Sequence, residues 1–134
     1  MLHPEFRVKV TLEATVSPSE DPGKVVGALQ NLVGADIGGL KNGNAMLTTD
    51  DIKAVSLIRD QLRDRHVRSA ARRQLLLNSK GRKTLMLLNR QAAAAGVVAI
   101  CGSAEESALG PIYATFESDD LTGVIDWLTA YGEG

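Results

Sequence analysis

The chain has 134 residues, 44 % of them hydrophobic and 23 % charged, which excludes a disordered or fibrous polymer and suits one globular domain spanning 1–134. A net charge of −1 argues against a generic polyanion binder, and one cysteine, Cys101, excludes an intramolecular disulfide and points to a reducing, cytoplasmic setting. No stretch approaches the ~20 apolar residues that cross a bilayer, and residues 1–7 hold no run resembling a secretory signal, so no membrane role is expected.

Phe6 to Val16 alternate strictly. Phe6, Val8, Val10, Leu12, Ala14 and Val16 are apolar, and Arg7, Lys9, Thr11, Glu13 and Thr15 are polar. Period two predicts a strand with one buried and one wet face. Ser17–Pro22 reads as a turn leading into a helix, with Pro22 acceptable in its first turn. Val25, Val26, Leu29 and Leu32 form that helix's apolar stripe, and Gly34 ends it. Short strands over 36–40 and 45–48 flank a turn at Lys41-Asn42-Gly43-Asn44. Thr49 or Asp50 is the expected cap of a helix reaching about His66, with Ile52, Val55, Ile58 and Leu62 inward.

A second helical stretch, 68–78, turns Ala71 and Leu75 inward after a bend near His66. Ser79–Arg82 is a turn. Lys83–Leu88 follows as a strand whose unbroken Leu85-Met86-Leu87-Leu88 suggests burial on both faces. Asn89 caps a short helix, 90–95, stopped by Gly96, and Val97–Ile100 is expected as a short strand. After a loop over 102–111, Ile112, Ala114 and Phe116 alternate with Tyr113, Thr115 and Glu117 in another half-buried strand. Ser118 and Asp119 are the expected caps of the last helix, whose stripe is Leu121, Val124, Ile125 and Leu128. The order lacks a regular βαβ period, which predicts an α+β fold: a mixed, mostly antiparallel sheet covered by helices on one face.

Charge is unevenly distributed. Residues 59–90 hold ten of the 15 Lys and Arg (Arg59, Arg63, Arg65, Arg68, Arg72, Arg73, Lys80, Arg82, Lys83 and Arg90) and two of the 16 acids, so this segment carries +8 and the remainder −9. On one continuous helix, Arg65, Arg68 and Arg72 would share a face, and guanidinium groups pair bidentately with phosphate. The competing reading is a solvated helix surface, since Arg59, Asp60, Arg63 and Asp64 have the spacing of intrahelical pairs. All five aromatic residues, Phe6, Tyr113, Phe116, Trp127 and Tyr131, lie outside the basic segment, so RNA binding there would rest on backbone charge and shape rather than base stacking.

No catalytic or metal-binding constellation is legible. His3, His66 and Cys101 have no ligand spacing, and Cys101 reads as a small buried residue. Ser103 lies in no nucleophile elbow, the adjacent Glu105 and Glu106 read as a solvated loop, and the glycines between 34 and 43 match no phosphate-binding pattern. No cofactor and no small-molecule ligand are indicated.

The second half of the chain resembles the uncharacterised archaeal family UPF0201. The resemblance rests on Leu57, Ile58, Arg59, Leu62 and Arg63 with Ala70 and Arg72; on Leu88-Asn89-Arg90-Gln91-Ala92-Ala93 followed by Gly96; on Glu105-Glu106-Ser107-Ala108-Leu109-Gly110-Pro111-Ile112; and on Ile125-Asp126-Trp127-Leu128. The opening strand and its Pro18–Pro22 turn are also similar. The resemblance implies an archaeal, cytoplasmic source, and an α+β fold like that of the ribosomal protein that binds 5S RNA, within a group linked to RNA binding. It supplies no catalytic residue. Arg59, Arg63, Arg72 and Arg90 are the positions where the family pattern and the charge cluster coincide. Met86 and Leu87 stand where the family often has aromatics.

Three functional expectations follow, in this order: a non-catalytic RNA-binding domain using the ten basic residues; a protein-interaction or self-assembling, dimeric module; and an enzyme, only if a cleft gathers residues distant in sequence.

Overall fold

The structure is a computed structural model that describes residues 6–64 and 66–129. Its strands are β1 (Lys9–Thr15), β2 (Gly39–Lys41), β3 (Asn44–Thr49), β4 (Lys83–Leu88) and β5 (Ile112–Glu117). Its helices are α1 (Pro22–Val33), α2 (Ile52–Asp64), α3 (Arg68–Leu77), α4 (Arg90–Ala94) and α5 (Leu121–Leu128). The strands form one sheet in the order β2-β3-β1-β5-β4, and every pairing is antiparallel, where the sequence allowed a mixed sheet.

The pleat sorts the side chains. Val10, Leu12 and Ala14 of β1, Ala45 and Leu47 of β3, Thr84, Met86 and Leu88 of β4, and Ile112, Ala114 and Phe116 of β5 are buried. Facing them are Leu29 and Leu32 of α1, Val55, Ile58 and Leu62 of α2, Ala71 and Leu75 of α3, and Val124 and Leu128 of α5. The helices therefore form one layer over one face, and among the described residues no second layer covers the opposite face, whose residues are half-buried or exposed. The expectation of two-sided burial in β4 fails for that reason: Leu85 and Leu87 lie on the open face and are only half-buried.

Local chemistry sets the boundaries. Asp21 caps α1 by accepting from Gly23 N–H, Pro22 follows at the first helical position, and Gly34 closes the helix in the left-handed region at φ 62°. Gly38 (φ 85°) is required twice over: a Cβ there would meet Leu47 Cβ at 2.5 Å and the Met46 carbonyl oxygen at 2.6 Å. The cap of α2 is Asp51, whose carboxylate accepts from Lys53 N–H at 3.0 Å, while Thr49 Oγ1 accepts from Asp51 N–H. Neither Thr49 nor Asp50 is the cap. Likewise Asp120, not Ser118 or Asp119, caps α5 by accepting from Gly123 N–H, and Ser118 Oγ accepts from Asp120 N–H one step earlier. Asn89 caps α4 as expected, accepting from Ala92 N–H at 2.8 Å.

Residues 97–100 do not form a named strand. They touch β4 through one bridge, Leu88–Ile100, and through Asn89 N–H to Ala99 O and Cys101 N–H to Leu87 O. This segment and two side chains close the outer edge of β4. Gln74 Oε1 accepts from Leu87 N–H at 2.8 Å, its amide nitrogen donates to Cys101 O, and Asn78 Nδ2 donates to Leu85 O at 3.0 Å. An edge so occupied cannot template another strand.

Candidate functional site

The nine described members of the basic cluster do not share one surface. His66, with φ 57°, breaks the chain between α2 and α3, so the single helix that would align Arg65, Arg68 and Arg72 does not exist. Arg65 lies outside the described residues. Arg59 turns toward α5: its Nε donates to Trp127 O at 2.7 Å and its guanidinium lies 5.4 Å from the Trp127 ring centroid. Phe6 meets the same ring edge-to-face at 5.8 Å. Arg72 spans α3 and α5, donating to Asp126 Oδ1 at 2.8 Å and Thr129 Oγ1 at 3.3 Å.

Arg90, at the start of α4, is 7 % exposed. It donates to both Glu20 oxygens at 3.1 and 3.2 Å, to Leu109 O at 2.9 Å and to Thr15 O at 2.6 Å. Arg82 pairs with Asp119 at the surface. The +8 segment and the −9 remainder thus meet inside one molecule, at Arg72–Asp126, Arg82–Asp119 and Arg90–Glu20. Arg63 and Arg73 are exposed on α2 and α3, Arg68 is half-buried at the start of α3, and Lys80 and Lys83 are exposed around the turn into β4.

The open sheet face is the larger coherent surface. Cross-strand register arranges its side chains in rows. One row runs Met46–Glu13–Tyr113–Leu87, the next Thr48–Thr11–Thr115–Leu85, and the last Lys9–Glu117–Lys83. Thr11 and Thr48 hydroxyls are 3.1 Å apart, Asn44 Nδ2 donates to Glu13 at 3.1 Å, and Lys9 pairs with Glu117 at 3.3 Å. That hydrogen bond from Lys9 holds the Glu117 carboxyl below its ordinary range, against an opposing effect of desolvation. The charges of Lys9, Lys83 and Arg82 act in the same direction as the hydrogen bond. Tyr113 is well exposed, at 39 %. The strand alternation had placed Tyr113, Thr115 and Glu117 together on a wet face; it could not show that no layer covers them.

No family model matches the chain. A UPF0201 protein of Sulfurisphaera tokodaii is 37 % identical over 127 residues, covering 90 % of this chain and 86 % of the relative. The chain belongs to the UPF0201 family. A second UPF0201 protein, from Sulfolobus acidocaldarius, is 35 % identical over 125 residues with the same coverage. Among solved structures, the UPF0201 protein of Methanococcus jannaschii superimposes with a TM-score of 0.74 at 24 % identity, covering 90 % of this chain and 98 % of that one. Another UPF0201 crystal structure gives 0.78 at 20 % identity, with 94 % and 96 % covered. At these identities the structural likeness speaks for the fold. The UPF0201 relatives are archaeal, as the sequence motifs implied.

The chemistry of the remaining candidates is limited. Cys101 is 2 % exposed, and burial, then the charge of Glu106, pushes its thiol pKa up, so it is a poor nucleophile. Glu106 instead closes a one-turn 3-10 helix (Ala104–Glu106), accepting from Ser103 N–H at 3.0 Å. Among the described residues no group of three or more His, Cys, Asp or Glu comes together, and no helix is long and apolar enough to cross a membrane.

Proposed function

We propose that the chain is a non-catalytic assembly module that pairs with a second copy of itself through the open sheet face. The observation that carries this is the self-complementary pattern on β1, the central strand. Lys9, Thr11 and Glu13 point the same way, with Thr11 midway between opposite charges. A twofold axis lying between two facing sheets, over Thr11 and across the strands, sets each Glu13 against the Lys9 of the other copy. The same axis superimposes the threonine rows, and interfaces between identical chains are of this isologous kind.

The size fits as well. Five strands at ~4.8 Å spacing and about six residues at ~3.4 Å make a face of roughly 24 by 20 Å. Two such faces bury about 1,000 Å² in all, where specific interfaces begin. Packing between facing sheets needs neither a free strand edge nor pairing of the +8 and −9 regions between subunits. A cytoplasmic setting accords with the single buried thiol. Light scattering of the purified chain is expected to give about twice the 14.3 kDa chain mass. Thr115→Arg, at the centre of the face, is expected to give a monomer with an unchanged circular dichroism spectrum. A monomeric wild-type chain would refute the proposal.

RNA binding is the second reading, and one observation favours it in an altered place. Arg7, Lys9, Lys80, Arg82 and Lys83 gather at one end of the sheet, and the charges of Lys9, Lys83 and Arg82 are felt at Glu117. Kinship with the fold of the ribosomal protein that binds 5S RNA would point the same way, by analogy. This reading expects binding of structured ribosomal RNA at low salt that falls steeply as salt rises, and that Lys80→Glu with Lys83→Glu abolishes. Retained affinity in that double variant would exclude this rim. Arg72 is a poor test residue for RNA binding, because it ties α3 to α5.

A further inference from the structure

We infer that the cavity beside Arg90 is a binding site for a small neutral molecule with an apolar body and one acceptor oxygen, such as a short-chain amide, ketone or ester. The cavity, of about 230 Å³, lies between α1, α4 and the chain leading into β5, away from the open sheet face. Val25, Ala28, Ala94, Leu109 and Ile112 give it apolar walls, and Arg90 forms part of the lining. It is smaller than the ~300 Å³ at which drug-sized pockets begin, yet larger than the ~150 Å³ cavity that admits a benzene ring. A molecule of about eight heavy atoms suits it.

Arg90 specifies the polar part of the ligand. Its terminal nitrogens are occupied by Glu20, Leu109 O and Thr15 O. Its Nε–H is buried and has no protein acceptor, the one such side-chain group among the described residues. Buried donors in folded proteins nearly always have an acceptor. Nε–H and one N–H of the terminal nitrogen that meets Thr15 O are thus left over, and one oxygen, with its two lone pairs, can accept from both. The charges around the cavity balance, Arg90 and Lys24 against Glu20 and Asp21. A carboxylate ligand would lie beside the Glu20 carboxylate, which already serves as the counter-ion of Arg90, so the ligand is neutral. Nε is closed to solvent, so the acceptor reaches it only as a wall side chain moves aside, and that of Leu109, 42 % exposed, has solvent to move into.

The test is a titration of the 15N-labelled full chain with N-butylacetamide, followed in the backbone amides and in the Arg90 Nε–H signal, with pentanoate as the anionic comparison. The expected result is saturable binding with a Kd around the millimolar range, as befits so few atoms. It includes a downfield shift of the Arg90 Nε–H and changes at Ala28 and Ala94, with pentanoate at least tenfold weaker. Ala94 is exposed on α4, so Ala94→Phe keeps the fold while filling the cavity mouth, and it should weaken binding at least tenfold. No saturable change at the lining residues would overturn the site. So would unchanged affinity in Ala94→Phe. Pentanoate binding as tight as the amide would overturn the ligand class. None of these readouts depends on self-association.

Discussion

Arg90→Ala is expected to lower the unfolding free energy by about 3–5 kcal/mol, because it breaks a buried pair from one side. Glu20 keeps its carboxylate with 15 % of the side chain exposed, and the carbonyls of Thr15 and Leu109 lose their donor. A domain of this size is held by roughly 5–15 kcal/mol, so the loss is a large share of the total. The effect should be a fall in the urea midpoint with an unchanged slope. Two comparisons isolate the cause. Replacing both partners with apolar residues, Arg90→Met with Glu20→Leu, should recover most of the loss, since no buried charge is then left over. Arg82→Ala, which breaks an ion pair exposed at 62 % and 84 %, should change stability by less than about 1 kcal/mol. Equal effects for Arg82 and Arg90 would mean that burial does not govern these pairs.

The same arginine marks the limit of what the sequence discloses. Period-two alternation over 6–16 located β1 and its inward face, and Asn89 was legible as a cap because its effect is local. Asp51 was missed as the α2 cap because Thr49, Asp50 and Asp51 are consecutive and all able to cap; in the fold Thr49 is still paired with Val10 of β1, and Asp51 accepts from Lys53 N–H. Leu85-Met86-Leu87-Leu88 looks buried on both faces because composition does not reveal whether a second layer exists. The charge block misleads for a related reason. Arg72 reaches Asp126 across 54 residues and Arg90 reaches Glu20 across 70, and no local pattern announces such partners. A run of cations reads as a surface until the fold shows which of them hold helices together.

The symmetry of β1 gives the sharpest test of assembly. In the twofold arrangement each Glu13 faces a Lys9, so Glu13→Lys replaces two attractions with two repulsions at once. Half-exposed pairs are worth ~0.2–1 kcal/mol each, and like charges oppose by similar amounts. The expected weakening is about 0.8–4 kcal/mol, or roughly four- to a thousandfold in the dimer Kd by sedimentation. Exchanging both charges, Lys9→Glu with Glu13→Lys, restores the facing pairs and should recover most of the affinity. The exchange does sacrifice the Lys9–Glu117 pair within each copy, at 3.3 Å. That pair is half-exposed on the lysine side, so its loss should change monomer stability little, which urea unfolding measures separately. Recovery in the double variant fixes the axis over Thr11. A folded double variant that stays as weak as Glu13→Lys rejects this register, and an undiminished Glu13→Lys dimer places the contact on another face.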